Sequence, residues 1–209
     1  MAKKKETKEI DTSTEDKIKE AARVVFHKKG YAATRTRDIA EEAGINLSLL
    51  NYYFRSKEKL FEIIMLETMG VFVNSMIGVL NDEKTTLIEK VEIISHRYID
   101  TIKEQPEIPG FIAGEIRNNV GNVLEKIPVS QIINNSFLVK QYKAEVESGR
   151  IKNVSHIQFI MNVLGLILFP FISQPLIMGG ADIKNNEFND MLEQRKKLIP
   201  IWIEAMLKA

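Results

Sequence analysis

Three features of the sequence predict an all-α fold. Nearly every apolar run repeats at helical spacing, and no segment alternates as a half-buried strand would. Capping boxes at Thr12–Glu15, Thr86–Glu89 and Ser155–Gln158 stand ahead of such runs. The 209 residues, 44% apolar and 27% charged, suffice for one large domain or two small ones with a real core.

In chain order, residues 1–13 read as a disordered basic tail. The first helix runs from about 14 to 29, buries Ile18, Ala21, Ala22, Val25 and Phe26, and stops at Gly30. Thr34 or Thr36 is expected to cap a short helix reaching Ala43. Gly44 breaks the pattern, and a third helix follows to about Phe54. Ser56 caps a long fourth helix that links the two parts of the chain.

Thr86 opens a helix to about Glu104, and the two prolines between Gln105 and Gly110 impose a break. A short helix covers about 110–119, and residues 120–129 read as irregular. Ser130 is expected to open one helix to about Ser148, stopped by Gly149. A very apolar helix starts after Ser155 and is kinked or ended by Pro170. Gly179–Gly180 reads as a loop, and a last amphipathic helix covers about 187–208.

The totals limit the chemistry. The chain has no cysteine, so it has no disulfide, thiolate metal site or thiol nucleophile. His27, His96 and His156 are scattered, with no ligand spacing for a metal and no Gly-rich phosphate loop. An enzyme, a metal and a cofactor are therefore not expected. The N-terminus carries lysines but no apolar signal segment, which makes the cytoplasm the expected compartment. The overall charge of +1 is unevenly spread. Residues 1–60 hold 14 basic against 10 acidic side chains, and the remainder 15 against 18. A solvated lysine tail gives this bias, and so does an N-terminal third that meets a polyanion.

The stretch AEEAGINLSLLNYYF, residues 40–54, decides more. Two helices crossing through a tight turn need a small residue at the contact and a residue tolerant of positive φ at the corner. Ala40 is the small contact, Gly44 the corner, and Leu50 the anchor of the second helix. That is helix-turn-helix geometry, whose second helix enters the major groove of DNA. With Leu50 and Phe54 inward, Ser48, Asn51, Tyr52 and Arg55 share another face, able to read base edges or hold phosphates. A plain αα-corner with a solvated polar face has the same pattern.

The segment from Asp16 to Ile64 resembles the DNA-binding domain of the TetR family of transcriptional repressors. The likeness rests on an apolar first helix ending near Lys29-Gly30-Tyr31, then Arg37-Asp38-Ile39-Ala40, Ala43-Gly44-Ile45 and Tyr52-Tyr53-Phe54-Arg55-Ser56-Lys57. It covers about residues 14–66. The resemblance implies a helix-turn-helix DNA-binding domain over 14–60 and a larger helical ligand-binding and dimerisation domain over 61–209. It implies a homodimer on a palindromic double-stranded DNA operator, released by a small-molecule inducer. Carried over by position, DNA contacts fall on Thr36, Arg37, Asn46, Leu47, Ser48, Leu49, Asn51, Tyr52, Tyr53 and Lys57, with Thr36, Arg37 and Lys57 on phosphates. The chain departs from the family's usual residues at Leu47-Ser48, Asn51 and Arg35.

Two signals remain in the C-terminal part. Residues 157–178 have about the length and apolar character that a membrane span needs. Gln158, Asn162, Pro170, Gln174 and Pro175 favour instead a buried helix covered by a twin subunit, with no membrane partner. The expected dimer interface is Ile160, Val163, Leu164 and Ile167 with Leu198, Ile201, Trp202 and Ala205 of the last helix. The residues Met65, Met69, Phe72, Tyr98, Phe111, Phe137, Tyr142 and Phe159 read either as plain core or as the wall of an apolar ligand pocket. Arg97, Arg117, His96 and Asn118 read either as partners of a ligand's polar group or as surface pairs of Glu92 or Glu115.

Overall fold

The computed structural model describes residues 12–114, 116 and 126–208, and among these there is helix and no strand. The chain divides into two compact units, Met1–Thr68 and Met69–Ala209.

The first unit holds α1 (Thr12–Ala33), α2 (Thr36–Glu42), α3 (Leu47–Tyr53) and the start of α4 (Lys57–Asn81). Ile18, Ala22, Phe26, Ile39, Leu50, Leu60 and Ile64 close its core. Gly30 interrupts α1 at the expected place, with φ 70° and ψ 173°. Neither expected threonine caps α2. Arg35 is its N-cap residue, and its N–H donates to the Asp38 carboxylate at 3.0 Å. Thr34 donates to the Gly30 carbonyl at 2.7 Å instead, tying down the chain after the Gly30 corner. Ser56 caps α4 as expected, accepting from the Lys59 N–H at 3.2 Å. The tail assigned to residues 1–13 lies almost wholly outside the described residues.

The second unit contains the rest of α4, then α5 (Leu87–Glu104), α6 (108–114), α7 (Val129–Asn134), α8 (Phe137–Glu147), α9 (His156–Ile172), α10 (Gln174–Ala181) and α11 (Asn185–Lys208). The Thr86–Glu89 capping box closes in both directions, at 3.2 and 2.7 Å. The helix expected over 130–148 is two helices. Ser136 restarts it by accepting from the Val139 N–H at 3.4 Å while donating to Ile133 O. Gly179 and Gly180 are helical, inside α10, because the chain turns only at Asp182, a left-handed residue with φ 51°. Of the segment read as irregular, 120–125 lies outside the described residues.

The helices α5 and α11 pack along the centre through Ile99, Ile102, Leu192, Ile199 and Ile203. The buried Lys196 ammonium donates to Asp100 and, at 2.7 Å, to Glu193. Glu193 also accepts from Lys103 at 2.6 Å, and the two lysines hold its carboxyl down at about 2.

Pro170 neither breaks nor ends α9. A proline has no N–H, so the carbonyl four residues back loses its helical partner. That carbonyl is Leu166 O, and the Arg195 guanidinium of α11 supplies the missing donors, Nη2 at 2.8 Å and Nε at 3.2 Å. The same guanidinium lies 5.2 Å over the Trp202 ring. Beyond α9 the chain bends by 60° into α10, so residues 157–178 do not form one straight span. Among the described residues, α4 by itself is long and apolar enough to cross a membrane.

Arg195→Ala should destabilise the second unit by about 1–3 kcal/mol, since it strands a polar carbonyl in apolar surroundings. In a Pro170→Ala background, where the backbone N–H returns, the same change should cost clearly less. Denaturant unfolding of the four proteins reads the difference; equal costs in both backgrounds would contradict this assignment.

Candidate nucleic-acid interface and apolar cavity

The helix-turn-helix is built from backbone geometry outward. Ile39, Ala40 and Ala43 of α2 and Leu50 with Phe54 at the end of α3 are buried, which fixes the crossing. Gly44 takes φ +62°, the left-handed conformation that only glycine adopts freely. The turn closes with Gly44 N–H to Glu41 O and Ile45 N–H to Ala40 O, both 3.0 Å. Asn46 then caps α3, its Oδ1 accepting from the Leu49 N–H at 2.8 Å.

That packing settles which groups of α3 face solvent. Ser48, Asn51 and Tyr52 are exposed, Tyr52 by 63%. Among the described residues, Ser48 and Asn51 have no hydrogen-bond partner. Tyr52 meets only an edge-to-face contact with Tyr53 at 5.4 Å. Leu47, Leu49 and Tyr53 are half-buried, as is Thr36, while Arg37 is exposed and has no ion-pair partner among the described residues.

Two of the ten expected contacts carry a structural duty as well. Asn46 has its carbonyl oxygen committed to the cap, which leaves its amide N–H groups outward. Lys57 directs two of its three N–H donors at the Tyr31 and Thr34 carbonyls, each at 3.0 Å, and lies 4.1 Å over the Tyr31 ring. It therefore pins the link between α1 and α2, with one donor remaining. Asp38, also on α2, has its carboxyl held below the usual range by the Arg35 N–H and by Lys29 at 3.2 Å. One cation escaped the sequence reading. The Lys17 ammonium lies beside the turn, 3.9 Å from where a Cβ on Gly44 would stand. Its place on α1, nearly thirty residues away in the chain, gave no local signal.

The second unit holds a half-open cavity of about 310 Å³. Of the eight residues expected in a pocket, Met69, Phe72, Tyr98 and Phe159 line it. The other four do not, and each has another place. Met65 is buried in the first unit. Phe111 is buried away from the wall. Phe137 lies under the Lys90 ammonium at 5.4 Å. Tyr142 packs behind Phe159, ring centroids 5.1 Å apart, and donates to Val154 O at 3.0 Å. Arg97 and His96 are not in the wall, and Arg117 and Asn118 lie outside the described residues.

The structure also re-sorts the expected dimer residues. Ile160, Val163 and Leu164 belong to the cavity wall, and Ile167 is fully buried in the core. The face that α9 leaves open is a different one, with Ile157, Met161, Gly165 and Phe169 exposed, Phe169 by 62%. On α11 the expected Ile201 and Ala205 are exposed, while Leu198 and Trp202 are half-buried. Asn162 donates to the Met206 sulfur at 3.7 Å, which puts the two open stripes side by side. Leu176 of α10 is exposed as well.

Comparison with known proteins agrees with this geometry. Residues 18–64 match the family described as bacterial regulatory proteins of the tetR family. A probable HTH-type transcriptional regulator of Bacillus subtilis, YttP, is 22% identical over 95% of this chain and 96% of its own length. The HTH-type transcriptional repressor KstR2 of Mycolicibacterium smegmatis is 31% identical, over 51% of this chain and 58% of that protein. Among solved structures, the transcriptional regulator FadR from Bacillus subtilis in complex with stearoyl-CoA shares the fold. Its TM-score is 0.56 at 20% identity, over 88% of this chain and 97% of that one.

Gly44→Ala should lower the stability of the first unit by about 1–2 kcal/mol through backbone strain alone, because the new methyl group has room. Gly44→Asn should cost less, since asparagine tolerates the left-handed region. Denaturant titration of both variants checks this; a neutral alanine variant would contradict it.

Proposed function

We propose that this chain, which belongs to the tetR family of bacterial regulatory proteins and is a transcriptional regulator with a DNA-binding helix-turn-helix, acts as a homodimeric repressor that holds a palindromic operator until a small-molecule inducer releases it. The observation that carries this reading is α3: a capped, rigidly seated helix whose Ser48, Asn51 and Tyr52 side chains stand outward with their polar groups unpaired. In the proposed complex α3 enters the major groove. Asn51 pairs bidentately with an adenine, worth about 1–3 kcal/mol of discrimination. Ser48 and Tyr52 contact neighbouring base edges, and Leu47, Leu49 and Tyr53 supply apolar contact such as that with a thymine methyl group. Thr36, Arg37, the remaining Lys57 donor and Lys17 hold phosphates and set the register.

The dimer in this reading closes through the exposed stripes of α9 and α11. A two-fold pair then sets its α3 helices about 34–36 Å apart, one turn of DNA. The inducer occupies the cavity of the second unit and favours an arrangement with a different spacing. The working domains are 14–60 for DNA and 61–209 for ligand and dimer, in the cytoplasm, with no catalytic step. KstR2, a repressor by name, supports the sign of regulation.

Selection from a random-sequence duplex library tests the reading. The protein should enrich an inverted repeat and bind it with a Kd on the order of 10⁻⁸ M or tighter. The Ser48→Ala/Asn51→Ala/Tyr52→Ala variant should stay folded and dimeric, keep weak salt-dependent binding and lose the sequence preference. No enriched repeat from folded protein at moderate salt would sink it. Separately, Phe169→Asp with Ile201→Asp should give monomers in sedimentation without unfolding, because both side chains are exposed in one chain. A persistent dimer would place the interface elsewhere.

A further inference from the structure

The chemical class of the ligand is written in the cavity wall. Among the described residues that line it, fifteen of 22 are valine, leucine or isoleucine. None is acidic, basic or amide-bearing, and the one polar side chain is Tyr98. Among these residues a ligand charge would find no counter-ion, and a ligand hydroxyl or amide almost no partner. Either costs more than apolar contact returns.

Tyr98 does not change this. Its hydroxyl lies 3.4 Å from the Phe72 carbonyl, and burial pushes it up to about 12, so it stays neutral at physiological pH. Flat aromatic ligands are poorly served too. The described residues of the wall include three aromatic rings, and each has a ring partner. Phe72 and Tyr98 stack on one another at 5.4 Å, and Phe159 packs on Tyr142. What the wall offers is close-packed branched aliphatic surface, with the flexible side chains of Met69 and Met76 able to adjust to a chain of variable length. An apolar space of this kind holds hydrocarbon in preference to water.

We infer that this cavity takes an uncharged aliphatic chain, the chemistry shared by fatty alcohols, fatty esters and acyl chains, and that it selects by length and volume rather than by hydrogen bonds. This assignment rests on the ligand-responsive reading above. Any charged head group of the ligand stays outside the apolar wall.

Calorimetric titration of the full chain with 1-alkanols of increasing length tests it. Affinity should rise about fourfold per added methylene, the equivalent of about 0.8 kcal/mol, and then level off where the cavity is full. An α,ω-diol of the best length must bury a hydroxyl and should bind at least about tenfold more weakly. Leu164→Trp and Ile132→Trp each place bulk in the wall and should move the plateau to shorter chains. Each is first checked for a native thermal transition, and either one suffices. Methyl esters and free fatty carboxylates of the same length separate the sources. Esters binding as well as alcohols support the assignment, as do carboxylates that bind with the same dependence on length.

Equal affinity for alcohol and diol would overturn it, as would affinity without length dependence, or binding confined to the carboxylates. Operator release is read on the same samples. Chains that bind with the expected length dependence but leave DNA affinity unchanged support the ligand class and refute the inducer reading. Release by a hydrophilic compound that alkanols do not displace supports the inducer reading and overturns the class.

Discussion

A helix that is apolar on every side must be covered on every side, and α9 is that helix here. Ile167 and Phe171 face the unit's own core. Ile160, Leu164 and Leu168 form part of the cavity wall. Ile157, Met161 and Phe169 remain open to solvent in one chain. Core, ligand and partner subunit are therefore three answers to one burial requirement, and in the proposed dimer they share seventeen residues of helix. One backbone polar group on α9 is handled with the same economy. Pro170 frees one carbonyl, and Arg195 of α11 satisfies it, which locks together the two helices that carry the open stripes.

The DNA end depends on smaller quantities. One left-handed glycine and one asparagine cap orient α3, and buried Leu50 holds it down. The connection between the ends is covalent. α4 is a single helix whose first half places Leu60 and Ile64 in the core of the first unit and whose second half supplies Met69, Phe72 and Met76 to the cavity. In the proposed mechanism a ligand that alters the cavity acts directly on that helix, and the dimer redistributes between arrangements that fit or miss the operator.

Sequence reasoning reached the helix-turn-helix because its determinants are local. Ala40, Gly44 and Leu50 act within one corner, and the Thr86 and Ser56 caps within one turn. It failed where the answer depends on partners distant in the chain. The phase of α9 was misread, with Val163 and Ile167 assigned to a surface, because an all-apolar helix has no polar face to show which side is out. Pro170 read as a kink or a stop because the Arg195 donor lies 25 positions further on. Lys57 read as a free cation because nothing local reveals the Tyr31 and Thr34 carbonyls. Among the pocket candidates, four of the aromatic and methionine residues line the cavity and four do not. The isoleucines, leucines and valines that make most of the wall carry no signal distinguishing a cavity from a core.

The most direct test of the central claim is the separation of the two α3 helices in solution. The chain has no cysteine, so Glu42→Cys provides one labelling point per protomer, on exposed α2 beside the turn. Pulsed dipolar spectroscopy then reads the distance between protomers. The account requires a distribution that includes a spacing fit for one DNA turn and narrows onto it with bound operator. Saturation of the cavity with an aliphatic ligand should then move the population away from that spacing. A distribution that is the same with and without a ligand shown to be bound, or the absence of any distance between protomers, would contradict it.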